Sequence, residues 1–444
     1  CGEGWGGVSF TMSLIDKYKE FPDHIWLRLY LRRIPKLVAQ MRSKKKIRVL
    51  FVLHCLDKWK TEGLYNLMLK HERFEPVIGL AMPLQDYPTE AVRKFTKLKD
   101  YVVSKGYDYQ ELCQKDDLDR IAPDIIFYIE PYNGVVNRGL EYRNARNSLF
   151  CFSTYGIHTV NYDWAYSTIF YKFLWQDYYE SDLAAKHAIK GCPSRKNNIK
   201  ITGTPFADQL LKPAETDPWR IIKIDTAVNN STNNTNYKAP SPCGEGWGGG
   251  ELRPARIIYA PHYSIVNPYD ENALYIGTFL EHGEFILKLA EKYADKTQWA
   301  FKPHPCLFRE LSKQWGEKRA QDYYDRWAGL DNAQFEEGQY LDLFKHSDAM
   351  IHDCSSFICE YLYMDKPVLY LDNGHSFPQN YLGKAGLEQH YHASTTEQIE
   401  QFVQNIIAGS DPMQAQRHAF TKENLLPPNG RTAAENIINA ILGV

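Results

Sequence analysis

The stretch Ser347 to Leu371, SDAMIHDCSSFICEYLYMDKPVLYL, narrows the choice of fold more than any other part of the chain. Ala349 to His352 is a short apolar run flanked by polar residues, the pattern of a buried strand in a parallel sheet. A turn of small polar residues follows, Asp353 to Ser356. Phe357, Ile358, Tyr361 and Leu362 then recur at helical spacing and give that segment one apolar face. Lys366-Pro367 ends the helix, and Val368 to Leu371 starts another strand. The whole reads as a βαβ unit with Ser355 and Ser356 where strand becomes helix. Free backbone N–H groups, the positive end of the helix dipole and two hydroxyls make that junction a seat for a phosphate. The plainer alternative is that Asp353, Ser355 and Ser356 only cap the helix.

The rest of the chain repeats the pattern. Ile47 to Leu53, Pro76 to Ala81 and Asp124 to Ile129 read as strands, with helices at Thr61 to Lys70 and Glu90 to Lys105. Ser148 to Phe152 and Lys200 to Thr202 follow as further strands. After a break, Ile257 to Ala260 and Trp299 to Lys302 are strands, Phe279 to Tyr293 is a long helix, and Thr432 to Leu442 is a helical tail. Strands and helices alternating at these lengths predict doubly wound parallel sheets, one in each half. Two such halves joined by a linker predict a cleft between them. The expected organisation is an N-terminal extension over 1–45, a first Rossmann-like domain over 46–212, a linker or insertion over 213–254 and a second Rossmann-like domain over 255–444.

With 444 residues there is room for two or three cores. Apolar content of 44% and a net charge of -2 are those of an ordinary soluble protein and offer no bulk attraction to nucleic acid. The nine cysteines are scattered without a CxxC pair, which reads as reduced thiols in a cytoplasmic protein. No run of eighteen apolar residues and no opening signal peptide is present, so neither a membrane span nor export by that route is expected. CGEGWGG opens the chain and recurs at 243–249; neither copy joins a strand to a helix as a phosphate loop does, and Met12 reads as a native start. Between Arg28 and Arg48 there are nine Lys or Arg and no acid, beside an apolar stripe of Trp26, Leu27, Tyr30, Leu31, Ile34, Leu37 and Val38, with Pro35 as a kink. Such a helix can lie on an anionic membrane surface or pack on its own domain with a solvated basic face. The segment 213–254 is polar and rich in Gly and Pro; its Asn-x-Ser/Thr matches are glycan acceptors only in a secreted protein.

Polar residues gather at strand ends, where open α/β sheets bind ligands. In the second half these are Pro261-His262-Tyr263-Ser264, Lys302-Pro303-His304-Pro305 and Asp353 to Ser356. A His between two prolines is held in place and can donate to a phosphate oxygen or protonate a leaving group. Glu360 lies four residues after Ser356 on the same helical face, ready for ribose hydroxyls, or else paired with Lys366. In the first half, His54, Lys58 and Trp59 follow the first strand, and Tyr155, Gly156 and His158 lie on the same edge. No HExxH, EF-hand, Walker, GxSxG or zinc-ligand spacing is found, and His390 with His392 lack a third ligand, so no metal or other cofactor is expected.

Taken together, YAPHYS at 259–264, FKPHP at 301–305 and the Ser347 to Leu371 segment resemble the CDP-glycerol glycerophosphotransferase family, the teichoic-acid and capsule polymerases. FVLHCLDKWKTEGLYNLMLKHERFEPVI at 51–78, PDIIFYIEPY at 123–132 and ITGTPFAD at 201–208 extend the resemblance into the first half. It implies a GT-B-type fold of two Rossmann-like domains, with the nucleotide on the second and the acceptor on the first. It implies transfer of a polyol phosphate from a CDP-linked donor to a hydroxyl of a lipid-linked glycan or growing polymer, at the inner membrane face. His304 would then stabilise the pyrophosphate or leaving group, with His262, Lys302, Asp353, Ser355, Ser356 and Glu360 around the donor. His158 falls at the family's second catalytic His, but in Tyr-Gly-Ile-His rather than Trp-His-Gly; His54, Lys58 and Tyr155 would flank the acceptor. The alternatives are a nucleotide-sugar glycosyltransferase on the same fold and a non-catalytic nucleotide-binding protein.

Overall fold

Strand and helix alternate to build two separate, all-parallel sheets. The computed structural model describes residues 14–161, 166–220, 253–266, 275–338, 340–375 and 378–444. The first sheet contains β1 (Ile47–Leu53), β2 (Phe74–Ala81), β3 (Tyr109–Leu112), β4 (Ile125–Tyr128), β5 (Leu149–Ser153), β6 (Gln176–Tyr179) and β7 (Ile199–Ile201), in the order β3-β2-β1-β4-β5-β6-β7. The second contains β8 (Ala255–Ala260), β9 (Thr297–Phe301), β10 (Ala333–Phe335), β11 (Ala349–His352), β12 (Val368–Leu371) and β13 (Tyr391–Ala393), in the order β10-β9-β8-β11-β12-β13. The order reverses direction beside β1 in one sheet and beside β8 in the other. This is the doubly wound arrangement, in which the carboxyl ends of the strands flanking the reversal form a crevice. The expected fold class, two parallel-sheet α/β domains, is the one observed.

The strands form where apolar runs are covered on both faces. β1, IRVLFVL, is buried along nearly its whole length, and Phe51 stacks on Phe127 of β4 at 5.1 Å between ring centroids. The second core centres on Trp299, Phe301 and Trp327, with Phe301 and Trp327 parallel at 5.1 Å. Burying aromatic side chains of this size contributes about 1.5–3 kcal/mol each.

Three segments fall elsewhere than expected. The final residues Glu423–Val444 form one compact unit with the described residues up to Gln209, while Leu210–Lys422 form the other. The last helix, Ala433–Leu442, opens with a Thr432/Glu435 capping box and sets its first N–H groups on Asp208: Ala433 and Ala434 donate at 2.8 and 2.9 Å. Asn436 then donates to the Thr202 carbonyl, so a first-domain carboxylate and carbonyl anchor the tail that sequence continuity assigned to the second. The start of the expected linker is also anchored: Trp219 is buried and its Nε1 donates to the Leu343 carbonyl at 3.2 Å. Lastly, the helix Leu14–Ser43 runs through Pro35 without a break and is no appendage. Tyr30 is fully buried, packs between Phe150 and Phe173, and donates to the Ser148 carbonyl. Both copies of CGEGWGG lie outside the described residues.

Candidate active site

In the second domain the sheet order β9-β8-β11 makes the three polar strand ends neighbours. Asp353 ties them together. It has no exposed surface, and its carboxylate accepts from the His262 N–H (2.6 Å), the Thr278 N–H (2.7 Å) and the Thr278 hydroxyl (3.0 Å). Burial pushes the Asp353 carboxyl up to about 6 despite these bonds. Asp353 was expected at the donor. The structure corrects that: both oxygens are spent on the protein, and the residue positions the loop after β8 and the start of the helix Phe279–Lys292. Gly277 fits this close approach: a Cβ there would sit tight against the Ser264 and His262 carbonyl oxygens, at 3.0 and 3.1 Å.

His262 and His304 sit side by side, with ring centroids 5.2 Å apart and the Tyr263 ring against both. Ser264 N–H donates to Nδ1 of His262 at 3.2 Å, and Cys306 N–H donates to Nδ1 of His304 at 3.1 Å. The proton of each neutral ring is therefore on Nε2, and each presents an N–H donor. Burial pushes His262 down to about 3 and His304 to about 4, with the neighbouring Lys302 and Arg309 adding to the effect at His304. With no ligand bound, burial favours the neutral form of both rings, so each stands as an uncharged N–H donor, the first of the two roles open to His304. A phosphate against Nε2 would favour the charged form.

Lys302, whose ammonium burial makes more acidic, donates to the Gly338 carbonyl at 3.2 Å and lies over the Tyr340 ring. The Tyr340 hydroxyl donates to Glu360 at 2.8 Å. Glu360 is buried and does not pair with Lys366, whose ammonium donates to the Phe344 and Lys345 carbonyls. The Ser-Ser turn differs from expectation in one respect. The helix after it is a single α turn, Phe357–Glu360, followed by a 3-10 turn Tyr361–Met364, so little dipole accumulates. Ser356 is exposed and its hydroxyl makes no capping bond, which removes the capping alternative for that residue.

In the first domain the residues expected on the acceptor side do come together, around one that the sequence reading missed. Glu130, buried two residues beyond β4, accepts from Lys58 Nζ at 2.5 Å and has His54 Nε2 3.1 Å from its other oxygen. Burial alone raises this carboxyl, but His54 and Lys58 outweigh it and hold it below the ordinary range. The Lys58 ammonium lies 5.3 Å over the Tyr155 ring, and Tyr155 stands edge-on to His158 at 6.1 Å. His158 Nδ1 is 3.3 Å from the Tyr166 hydroxyl, and burial pushes the imidazole down to about 4. Glu130 carries no motif of its own. Its signal was a lone acid at the end of an apolar strand, inside PDIIFYIEPY.

Among the described residues no cluster of three or more His, Cys, Asp or Glu could hold a metal ion. His390 and His392 each bond backbone carbonyls, of Gly386 and Leu387.

Residues 257–443 match the family model of the CDP-glycerol:poly(glycerophosphate) glycerophosphotransferases. The match bears out the family resemblance and, with it, the transferase class that the resemblance implies. No curated protein matches the chain. Among solved structures, a variant of the wall teichoic acid polymerase TagF is similar over 96% of this chain and 98% of its own, at 13% identity and a TM-score of 0.53. The putative UDP-N-acetylglucosamine 2-epimerase of Listeria monocytogenes (89% and 96% covered, 12% identity, TM-score 0.53) is similar to the same degree. So is the UDP-GlcNAc 2-epimerase of Neisseria meningitidis (89% and 99%, 14%, 0.51). At these identities the likeness is one of fold.

Proposed function

We propose that this chain transfers a polyol phosphate, glycerol phosphate or a close relative, from a CDP-activated donor to a hydroxyl of a cell-surface polymer or lipid-linked glycan. The observation that carries the reading is the joined set of strand ends β9-β8-β11, which falls within the part of the chain matching the family. Phosphoryl transfer asks a protein mainly to position the reactants and to stabilise charge on the transferred group. The Nε2–H groups of His262 and His304, the hydroxyls of Ser355 and Ser356 and the ammonium of Lys302 are donors of the kind a pyrophosphate needs. Glu360, with Tyr340 bonded to it, is the acceptor suited to a ribose hydroxyl. No metal or other cofactor is invoked, since these donors can meet the phosphate oxygens directly. His54, Lys58, Tyr155 and His158 form the acceptor side on the first domain.

The helix Leu14–Ser43 suits a lipid-linked acceptor. Its inner face is packed, and its outer face exposes Ile25 and Leu29 among Arg28, Arg32 and Lys36, a basic and apolar surface for the inner membrane face. No described helix is long and apolar enough to cross a membrane.

The test is to incubate the full chain with CDP-glycerol, CDP-ribitol and a panel of nucleotide sugars, and to identify the released nucleotide. CMP release in the presence of an acceptor is expected. UDP or GDP release would make it a glycosyltransferase, and binding without turnover a non-catalytic nucleotide-binding protein.

A further inference from the structure

We propose that Glu180 forms a subsite for a hydroxyl group of the acceptor, at the ends of β5, β6 and β7. This rests on the transfer reaction proposed above and names a contact for its acceptor; it assigns no proton transfer.

Glu180 stands apart from the other buried acids. Among the described residues each of those has a donor from elsewhere in the chain: Glu130 from Lys58, Glu141 from the Gly134 N–H, Asp177 from Tyr179, Asp348 from Arg253, Asp353 from the His262 N–H and Glu360 from Tyr340. Glu180 is 5% exposed, and its Oε1 is sealed without a partner. No hydrogen bond or ion pair from another described residue reaches Oε2, which is not among the sealed atoms. Its own backbone N–H is the one group that favours its charge. Buried polar groups are almost always bonded, so a carboxyl left in this way calls for a partner from outside the fold.

Register sets this carboxyl at the ligand-binding edge. Ser153 of β5 pairs with Tyr178 of β6, and Ile201 of β7 pairs with Tyr179. The Thr202 and Gly203 N–H groups both donate to the Tyr179 carbonyl, so the three strands end together and Glu180 is the first residue beyond β6. At the carboxyl ends of strands is where open α/β sheets bind ligands. The turn itself makes no use of the Glu180 side chain. Ser181 caps the helix Asp182–Gly191 instead, accepting from the Ala184 N–H at 3.3 Å. At the flanking strand ends the buried hydroxyls of Ser153 and Thr204 are also without partners. Tyr155 and His158 lie on the loop that leaves β5. The Tyr166 hydroxyl, 3.3 Å from His158 Nδ1, has Asp177 and Glu180 as its charged neighbours, so the subsite adjoins the acceptor side.

The groups present select the ligand. No Lys or Arg pairs with Glu180 among the described residues, and burial pushes its carboxyl up to about 7 and that of Asp177 to about 8. Such a place has no cation for a phosphate and repels one whenever a carboxyl ionises. A hydroxyl donates to a carboxylate and accepts from a carboxylic acid, so Glu180 can hold it in either state. Polyols and sugars both carry such hydroxyls.

The test is ligand-observed NMR of the full chain with two soluble probes, a short poly(glycerol phosphate) and a methyl hexoside, on the wild type, Glu180→Gln and Glu180→Leu. At least one probe should bind the wild type, the first marking a polyol and the second a sugar as the source of the hydroxyl. Glu180→Leu should weaken that binding by about tenfold, the loss of one hydrogen bond, and Glu180→Gln, which still donates and accepts, by less than about threefold. KM for CDP-glycerol should change by less than about twofold in both variants, since the donor is held elsewhere. The melting temperature of Glu180→Leu at pH 8 should not fall, because a carboxyl without a partner gives the fold nothing. If Glu180→Leu does not fold, Glu180→Ala takes its place in the binding comparison. Equal binding by the wild type and the apolar variant, or no binding of either probe to the wild type, overturns the proposal and leaves water as the partner of Glu180. A melting temperature lowered in Glu180→Gln and Glu180→Leu alike makes the carboxyl structural and overturns it too. Probe binding that depends on Glu180, in a protein that releases no CMP from any CDP-polyol, would sink the transfer reading alone and leave the subsite standing.

Discussion

Both domains run their strands in the same order and set polar residues just past the strand ends, yet the two edges hold protons in opposite ways. In the second domain, burial leaves His262, His304 and His352 neutral, at about 3, 4 and 3, and Asp353 is consumed in backbone bonds. In the first, a carboxylate stays ionised between His54 and Lys58, while deeper in the same domain burial pushes Asp177 up to about 8 and Glu180 to about 7. One edge presents uncharged N–H and O–H donors, which suit a ligand that brings its own negative charge. The other presents a carboxylate balanced by two basic side chains. The scaffold is common to both, and the residues one or two places beyond each strand decide the chemistry.

The sharpest way to break this contrast is His304→Ala. Loss of a preoriented donor from the charge-stabilising set is expected to lower turnover by about 100-fold or more. Because His304 is only partly buried, the melting temperature should move little. Wild-type turnover in that variant would remove the second-domain edge from the reaction.

Asp353→Ala asks whether the shared residue of that edge is architectural. The substitution strips the acceptor from two buried N–H groups and a hydroxyl, and each orphaned donor costs about 1–3 kcal/mol. A stability loss of about 3 kcal/mol in urea unfolding is expected. Unchanged stability together with weakened CDP binding would return Asp353 to the ligand.

The proton preferences also predict opposite pH slopes. Imidazoles whose folded pKa is depressed bind fewer protons than in the unfolded chain. The second domain therefore loses stability as pH falls from about 6.5 toward 4, with Asp353, raised to about 6, offsetting part of it. In the first domain Asp177 and Glu180 are raised. Their contribution is complete below about 4 and disappears as pH rises through about 7 to 8, opposed below 6.5 by His158. Amide hydrogen exchange at pH 5 and pH 8, corrected for intrinsic rates, should show second-domain protection lower at pH 5 and first-domain protection lower at pH 8. Parallel changes in both domains would mean that these groups do not govern stability.

The sequence showed most where burial is symmetric. β1, β11 and β12 are apolar runs, and their expected bounds are the observed ones. β6, QDYY, reads as polar, but in the fold it is wholly buried, with Gln176 accepting from Tyr178 and Asp177 from Tyr179. No periodicity announces a strand whose tyrosine hydroxyls bond its own Gln and Asp side chains. β10 and β13, three residues each, are too short to show a pattern. The site divides in the same way. His262, His304 and the Ser-Ser turn were legible because each sits within its own local motif. Glu130 was not, because its meaning depends on β1 and β4 lying side by side, and Asp353 was misplaced because a sequence does not show which way a carboxylate turns.

The smallest expected effect concerns the basic and apolar outer face of the first domain's opening helix. In the helix Leu14–Ser43 the buried Leu27, Tyr30, Leu37 and Met41 hold the domain together, so deleting the segment would unfold what it is meant to test. Ile25 and Leu29 are 52% and 49% exposed, one helical turn apart, and carry no such load. Ile25→Glu with Leu29→Glu should leave the fold and soluble-substrate turnover unchanged. Because two acids are also placed among basic residues worth about 1 kcal/mol each near an anionic surface, binding to phosphatidylserine vesicles should weaken about three- to tenfold. Equal binding by wild type and variant, or wild-type binding that is indifferent to salt, would mean that this face is only solvated and does not engage a membrane surface.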